Sequence, residues 1–297
     1  MTRKAPAPRA VPAANPQPQL ISARWLVLSI SLVLAAAAVC AWAALCLLFW
    51  QGSWQLLYHP SAGISRTPSA AGLAFESVAF DPDNSGQPQL SAWWIPQGPA
   101  SPRTAIYLHG ADGNLSNTVE LLVRLHSAGL NIFAIDYRGY GQSRSAHPSE
   151  ISLRQDADAA IAYLTATRHI SPSSIILIGS GLGANLALEV AAAQPELAGI
   201  ALDQPLAAPM QSIFNDARAR LVPAHLLVRD QYDLSASASD VRIPVLWMET
   251  ETGATQQAPD AYAQISSRKM LIWLLPGLLQ SSAWDATLSR WLDSLAH

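Results

Sequence analysis

One stretch of the chain, Ile175 to Leu188 ("IILIGSGLGANLAL"), has the residue types that position a nucleophile. A β-branched run enters a glycine-rich turn, and an Ala/Leu-rich helical pattern leaves it. A G-x-S-x-G turn between strand and helix exposes its central serine for attack and needs small residues two places before and after it. Gly179 and Gly183 have this spacing, but the residue between them is Gly181. The sequence therefore predicts the turn without its nucleophilic side chain.

Ser180 is the alternative nucleophile in this stretch. Its neighbours at the same spacing are Ile178 and Leu182, whose side chains would collide in so tight a turn. A shift of one residue also turns the side chain away from the site. We interpret Ser180 as a small polar residue packed beside the turn. Asp203, which follows a later strand, could act as a substitute acid, although a turn or helix-cap role is the simpler interpretation.

The elements around this turn alternate between strand and helix patterns with short connections. This alternation predicts an α/β fold with a mostly parallel sheet and helices on both faces. The segments "FESVAF" and "QLSAWWIP" predict an antiparallel hairpin at its start. Residues 209–233 form one long insertion between strands, where a small helical cap is expected.

The order of motifs resembles the α/β-hydrolase fold. More narrowly, it is similar to membrane-tethered hydrolases of the bud-emergence type, which are related to abhydrolase-domain and serine-aminopeptidase-like hydrolases. The resemblance extends from about Tyr58 to Leu292 and rests on "LHGADGNLSN", "IDYRGYGQS", "PSE", "LIGSGLGANLAL", "LVRDQYD", "RIPVLW" and "LLPG".

The resemblance implies a catalytic serine, an acid after a later strand and a histidine after the last strand. Gly181 stands in the place of the serine. The acid's place after "RIPVLW" falls at about Gly253, and the histidine's place after "LLPG" falls at Gln280. Of the seven histidines, only the terminal His297 follows the last strand. The family's Ser-Asp-His triad is therefore expected to be degenerate, with no intact catalytic residue.

The resemblance also implies a remnant of the reaction scaffold. "HGAD" at 109–112 is similar to the family's oxyanion loop, with the backbone N–H groups of Ala111 and Leu182 as the expected donors. His109, Gly110 and Asp112 are expected to line the pocket, His109 mainly as a structural residue. Three further matching residues are expected to make loop hydrogen bonds and a salt bridge: Asp136, Arg138 and Asp156.

The N-terminal part of the chain predicts a membrane anchor. Residues 1–20 contain five prolines and no apolar periodicity, which is typical of a disordered tail. From Trp25 to Trp50 no residue is charged, and a helix of this length spans about 39 Å, enough to cross a bilayer. A cleaved signal peptide is the alternative, but its apolar region is normally shorter. We expect an anchor at 21–50, a linker at 51–75 and the α/β domain at 76–297.

Charge predicts the orientation of this anchor. Arg3, Lys4, Arg9 and Arg24 precede the apolar stretch, and Arg66 alone follows within 25 residues. By the positive-inside rule, the N-terminus is cytoplasmic and the domain extracytoplasmic, which in a bacterium is the periplasm. The rest of the chain carries 14 basic and 21 acidic residues and no basic stripe, so nucleic acid is not an expected partner.

Three functions remain open from the sequence. The first is a membrane-anchored pseudoenzyme that binds a small acyl or peptide-like ligand or a protein partner. The second is an active serine hydrolase, esterase or peptidase that works from a non-standard site. The third is a structural membrane protein whose pocket is incidental. The two cysteines, Cys40 and Cys46, lie in the apolar stretch, and neither a metal site nor a cofactor is predicted.

Overall fold

The structure is a computed structural model that describes residues 22–98, 101, 103–250, 259–274 and 282–295. Two compact units are present, Met1–Leu47 and Leu48–His297. The predicted tail at 1–20 lies outside the described residues, as do Gly253 and Gln280, the places at which the acid and the histidine were expected.

The first helix, α1 (Ala23–Gly52), contains the whole uncharged stretch. Its side chains are exposed along most of its length, although they are almost all apolar. By length and composition α1 is a candidate transmembrane span, a property that it shares with signal sequences.

The strands are β1 (His59–Pro60), β2 (Glu76–Pro82), β3 (Pro88–Ile95), β4 (Thr104–Leu108), β5 (Asp112–Gly113), β6 (Asn131–Asp136), β7 (Ile175–Ser180), β8 (Gly199–Asp203), β9 (Val245–Thr250) and β10 (Lys269–Leu274). Within the described residues, eight of these strands form the central sheet in the order β10-β9-β8-β7-β4-β6-β3-β2. The hairpin β2–β3 is antiparallel, as its alternating sequence predicted, and β3 also runs antiparallel to β6. The remaining neighbours are parallel. Two residue pairs join β1 to β5 outside this sheet.

Helices cover both faces of the sheet, and the two faces bury separate hydrophobic clusters. The helices after α1 are α2 (Val119–Ser127), α3 (Glu150–Ala166), α4 (Leu182–Ala193), α5 (Gln211–Phe214), α6 (Ala224–Leu227), α7 (Leu234–Ala238), α8 (Asp260–Gln264) and α9 (Ser282–Ser294). One cluster includes side chains of α3, α4 and α7, and the other includes side chains of α2 and α9. The predicted α/β architecture is confirmed.

The chain between β8 and β9, residues 204–244, forms a small helical cap. It contains α5, α6, α7 and a 3₁₀ turn, Ala217–Arg220. The amide of Asn185 on α4 is bonded to the backbone of Leu206 in both directions, at 2.8 Å each, which fixes the start of the cap to the main body. The cap includes the insertion at 209–233 that the sequence predicted.

Residues 51–75 are not a free linker, contrary to the expectation from their turn-rich sequence. They form 3₁₀ turns at Ser53–Leu56 and Pro68–Ala71 and the strand β1. Leu57 and Tyr58 are buried in the core. The Tyr58 hydroxyl donates to Asp230 Oδ2 at 2.5 Å, which joins this segment to the cap. Burial of large side chains after Gly52 explains why the segment belongs to the compact unit that begins at Leu48.

Acidic groups lie between α3, α4 and the cap. Glu150, at the start of α3, accepts the backbone N–H groups of Gln231 and Tyr232 at 2.6 and 2.7 Å. On α4, Glu189 lies 3.5 Å from Arg154 Nη1. Burial, followed by the nearby charge of Glu150, raises the pKa of Glu189 to about 7. The folded chain therefore favours protonated Glu189 relative to the unfolded chain.

This gives a pH-dependent prediction for Glu189→Gln. A raised carboxyl pKa contributes stability that is full below the unfolded value of 4.5 and is lost as the pH rises through about 7. We expect the variant to be more stable than the native chain at pH 8, by about 1–2 kcal/mol. At pH 4.5 the two should be alike, in thermal unfolding measured across this range.

Glu196→Gln, which changes an exposed carboxylate just after α4, is the matched control and should leave the pH dependence unchanged. If the Glu189→Gln variant unfolds with the same pH dependence as the native chain, the raised pKa of Glu189 is contradicted.

Candidate functional site

The turn between β7 and α4 has the geometry that the glycine spacing predicted. Gly181 precedes the first residue of α4 with φ 55° and ψ −122°. Its N–H donates to the carbonyl of Asp203 at 2.9 Å, and its own carbonyl accepts the Ala184 N–H at 3.0 Å. A positive φ is costly for most residues but not for glycine. Gly181 therefore occupies the sharp central position of the turn without strain.

The flanking glycines are required by close backbone packing. A Cβ on Gly179 would collide with the carbonyl of Gly183, and a Cβ on Gly183 would collide with the carbonyls of Leu108 and His109. A Cβ on Gly181, by contrast, would meet no atom of the described residues within 4 Å. The central position of the turn thus faces open space.

Ser180 and Asp203, the weak alternative pair, are brought together by the sheet. They are register partners on β7 and β8, and the Ser180 hydroxyl donates to Asp203 Oδ2 at 3.2 Å. Tyr107 on β4 donates to the same hydroxyl at 3.4 Å. Burial raises the pKa of Asp203. In the described part of the chain, no histidine is hydrogen-bonded to either side chain, so the pair has no imidazole base there.

The loop that follows β4 lies against the turn. A Cβ on Gly110 would be 3.4 Å from the carbonyl of Ser180. The carbonyl of Ala111 accepts the His59 N–H at 2.9 Å and the Tyr140 hydroxyl at 2.8 Å, which holds the loop in place. The N–H groups of Ala111 and Leu182 have no hydrogen-bond acceptor among the described residues. Their role as oxyanion donors stays a prediction.

His109 is completely buried at the base of this loop. Its Nδ1 lies 2.8 Å from the carbonyl of Gly110, and its ring packs between Tyr137 and Tyr140. Burial lowers the pKa of His109 to about 4 and raises the pKa of Asp136 to about 6. Although Asp136 Oδ1 lies 3.6 Å from His109 Nε2, the imidazole is neutral near pH 7. A neutral, enclosed imidazole is suited to holding the loop.

The other residues expected at or near the loop, Asp112, Arg138 and Asp156, form hydrogen-bonded side-chain pairs. Asp112 is exposed and pairs with His59 at 2.7 Å. Arg138 and Asp156 form the expected salt bridge at 2.6 Å, in which Asp156 also accepts the Arg138 backbone N–H at 2.8 Å. Among the described residues, no group of His, Cys, Asp and Glu side chains could hold a metal ion.

A cavity of about 600 Å³ lies elsewhere, between the cap and α8. His109, Gly110 and Asp112, which the sequence placed at the pocket, do not line it. Its lining is mixed, with apolar side chains beside carboxylates and one imidazole: Ala207, Ala208, Pro209, Met210, Gln211, Phe214, His225, Val228, Asp230, Gln231, Tyr232, Asp233, Leu234, Ser235, Pro259, Asp260 and Ala261. The length of the insertion was the one sequence signal for this cavity.

A polar cluster beside this cavity was not predicted from the sequence. Tyr58 donates to Asp230 and lies 2.9 Å from the Tyr232 hydroxyl. Since Tyr58 gives its proton to Asp230, it must accept from Tyr232. Tyr58 and Asp230 are 172 residues apart in sequence, and no local pattern connects them.

Known proteins are similar to this chain in sequence. Residues 100–240 match a family model described as serine aminopeptidase, S33. The uncharacterized protein Rv2307c of Mycobacterium tuberculosis is 30% identical over 203 residues, which cover 67% of this chain and 69% of that protein. The mouse alpha/beta hydrolase domain-containing protein 17C is 34% identical over 131 residues, covering 44% and 40%.

Among solved structures, the Pyrococcus furiosus esterase Pf2001 superposes with a TM-score of 0.62 at 17% identity, covering 81% of this chain and 98% of the esterase. An alpha-beta hydrolase from Vibrio vulnificus gives a TM-score of 0.59 at 21% identity, covering 76% and 82%. At these identities the likeness concerns the fold alone. Together with the sequence relatives, it establishes that this chain belongs to the α/β-hydrolase superfamily.

The packing at the turn predicts the effect of Gly183→Ala. The added methyl group would meet backbone carbonyls of β4 and its loop, which cannot move aside as a side chain would. We expect a loss of about 3 kcal/mol or more in the free energy of unfolding, measured by chemical denaturation. The matched control is Gly63→Ala, where a Cβ meets nothing within 4 Å of the described residues. Equal stability of the two variants would show that the turn is not packed in this way.

Proposed function

We propose that the chain is a membrane-anchored α/β-hydrolase-fold protein that has lost the Ser-Asp-His triad and acts as a non-catalytic binding or regulatory protein. The observation that carries this proposal is that a glycine, Gly181, occupies the centre of the turn between β7 and α4. It stands at the central position of the turn, with φ 55° and open space above it, where the superfamily's reaction needs a nucleophile. Gly253 and Gln280, at the places of the acid and the histidine, support it from sequence.

The size of the catalytic loss supports a non-catalytic role. Removing a serine protease's triad lowers turnover by about 10⁶, and the residual rate comes from binding and oxyanion contacts. Those remaining features are what this chain retains. The N–H groups of Ala111 and Leu182 are free of acceptors among the described residues and are suited to bind a carbonyl or carboxylate oxygen. No cofactor is needed for such binding.

The cavity supports a small acyl compound as the ligand. Its volume of about 600 Å³ lies within the usual range of ligand pockets, about 300–1,000 Å³. Met210, Phe214, Val228 and Leu234 provide apolar walls for a hydrocarbon chain. A peptide-like ligand or a protein partner would need more of the polar groups that lie at its edge, such as Asp230 and Asp233.

The membrane anchor is the second part of the proposal. We place residues 21–50 across the membrane, with the N-terminus cytoplasmic and the domain extracytoplasmic. The uncharged length of α1 supports a span, and the basic residues before it support this orientation. In a bacterium the domain would then face the periplasm.

An active hydrolase is the second candidate, because Ser180 and Asp203 are in contact at 3.2 Å. A serine nucleophile also needs a base that can accept its proton and later return it to the leaving group. Asp203 is buried and carries a raised pKa, and Ser180 receives a hydrogen bond from Tyr107. These hydrogen bonds hold the Ser180 hydroxyl in place between β4 and β8 more than they activate it as a nucleophile.

Fluorophosphonate labelling separates the two candidates. We expect no covalent labelling of the purified full-length chain, because Gly181 has no hydroxyl and Ser180 has no imidazole base among the described residues. The measurement is mass spectrometry of the intact chain, with short-chain acyl esters assayed in parallel. Labelling that is lost in Ser180→Ala but kept in Ser289→Ala, an exposed serine on α9, would overturn the non-catalytic proposal.

A tryptophan placed in the cavity tests ligand binding. Ala208 lines the cavity and is exposed, so Ala208→Trp should fill the space without straining the core. We expect at least about tenfold weaker binding of a fluorescent fatty acid, a loss of about 1.4 kcal/mol. Ala217→Trp, at an exposed cap residue that does not line the cavity, should bind like the native chain. Equal affinities in the two variants would exclude this cavity as the binding site.

A further inference from the structure

The cap carries an unusual set of exposed apolar side chains. Among the described residues after Gly52, the large apolar side chains that are exposed are Ile151, Leu206, Leu221 and Leu226. Three of these belong to the cap, and Leu226 and Leu221 are 83% and 62% exposed. Soluble surfaces carry scattered apolar residues, but a concentration in one short segment marks an interaction surface.

The segment 211–229 within the cap is locally basic, although the whole cap, residues 204–244, carries four arginines and four aspartates. Residues 211–229 contain three arginines and one acidic residue, whereas the full chain has a net charge of −3. Arg218 is paired with Asp216 at 2.8 Å. Arg220 and Arg229 are exposed, and within the described part of the chain neither forms an ion pair. Leucines interspersed with unpaired arginines are typical of surfaces that bind anionic lipid headgroups.

Contacts within the compact unit place this segment next to the end of the apolar stretch. Trp50, the last residue of that stretch, lines a small cleft together with Trp54, Leu227 and Val228. Leu227 directly follows Leu226 on α6. The helix α5 also packs against the 3₁₀ turn Ser53–Leu56.

Chain continuity fixes the distance of this cleft from the bilayer. Ser53, which lines the cleft, comes three residues after Trp50, or about 5 Å at helical rise. An aromatic residue at the end of an apolar span lies at the headgroup level. If Trp50 lies at that level, the cap residues that line the cleft with Trp50 and Ser53 are within a few residues' reach of the membrane surface.

We infer that the cap rests on the anionic surface of the membrane that holds α1, with Leu221 and Leu226 in the headgroup–acyl boundary and Arg220 and Arg229 on lipid phosphates. The partner is the chain's own bilayer, because cap residues share a cleft with Trp50 and Ser53 and α5 packs on the turn that directly follows α1. This inference rests on the membrane anchor of the proposed function. It is independent of whether the turn at Gly181 is catalytic.

The test uses the full chain in vesicles of phosphatidylcholine containing phosphatidylglycerol. Cys40→Ala and Cys46→Ala remove the native thiols, and a nitroxide is attached at Leu226→Cys. The matched control is Ser289→Cys, at an exposed residue on α9. Collision rates of each nitroxide with oxygen and with a water-soluble nickel chelate are measured by electron paramagnetic resonance.

We expect the ratio of oxygen to nickel collisions at position 226 to be at least about threefold that at position 289, since oxygen concentrates in lipid and the chelate in water. Replacing Arg220 and Arg229 with Gln should lower that ratio at position 226, whereas Arg290→Gln on α9 should not change it. Equal ratios at positions 226 and 289 would overturn the inference.

Alkaline carbonate extraction distinguishes a failure of the proposed cap–membrane contact from a failure of the proposed membrane anchor. Release of the chain from the vesicles would overturn the anchor and the cap contact together. Retention of the chain with a water-exposed nitroxide at position 226 would overturn the cap contact alone.

Discussion

The close approach of three backbone segments at Gly179 and Gly183 is the constraint on which the site depends. The end of β7, the start of α4 and the loop after β4 pack so tightly that a single methyl group on either glycine would meet a backbone carbonyl. This packing points the start of α4 towards the loop at His109–Ala111 and sets the sharp turn at Gly181. The turn keeps its shape because neighbouring backbone, and not a catalytic side chain, holds it.

The glycine at position 181 avoids backbone strain. A non-glycine residue with a positive φ carries backbone strain of about 1–3 kcal/mol, and such strain is common at catalytic residues. Glycine adopts this conformation without that strain. The buried, neutral His109 stabilises the same loop. These features are compatible with the rigid binding site that we propose.

A second set of polar contacts joins the segment that follows α1 to the cap and to α3. Tyr58 donates to Asp230, while Glu150 accepts the two backbone N–H groups that follow Asp230. The segment after α1, the cap and the start of α3 therefore share one hydrogen-bonded cluster. Tyr58 and Tyr232 are buried and the bonds of Asp230 and Glu150 to them are partly buried, so losing one partner would leave another unsatisfied. The cap is therefore fixed to the segment that follows α1.

The sequence by itself determined the features that depend on local pattern. Alternating and helical periodicities identified the antiparallel hairpin and the mostly parallel sheet, and glycine spacing identified the turn with Gly181 at its centre. The tertiary structure alone decided which distant groups meet: Ser180 with Asp203 across β7 and β8, Tyr58 with Asp230, and the cavity under the cap. It also showed that residues 51–75 pack into the domain. The physical reason is that periodicity reports the local backbone and its buried face, whereas contacts between distant residues depend on the register and packing of elements that the sequence order does not fix.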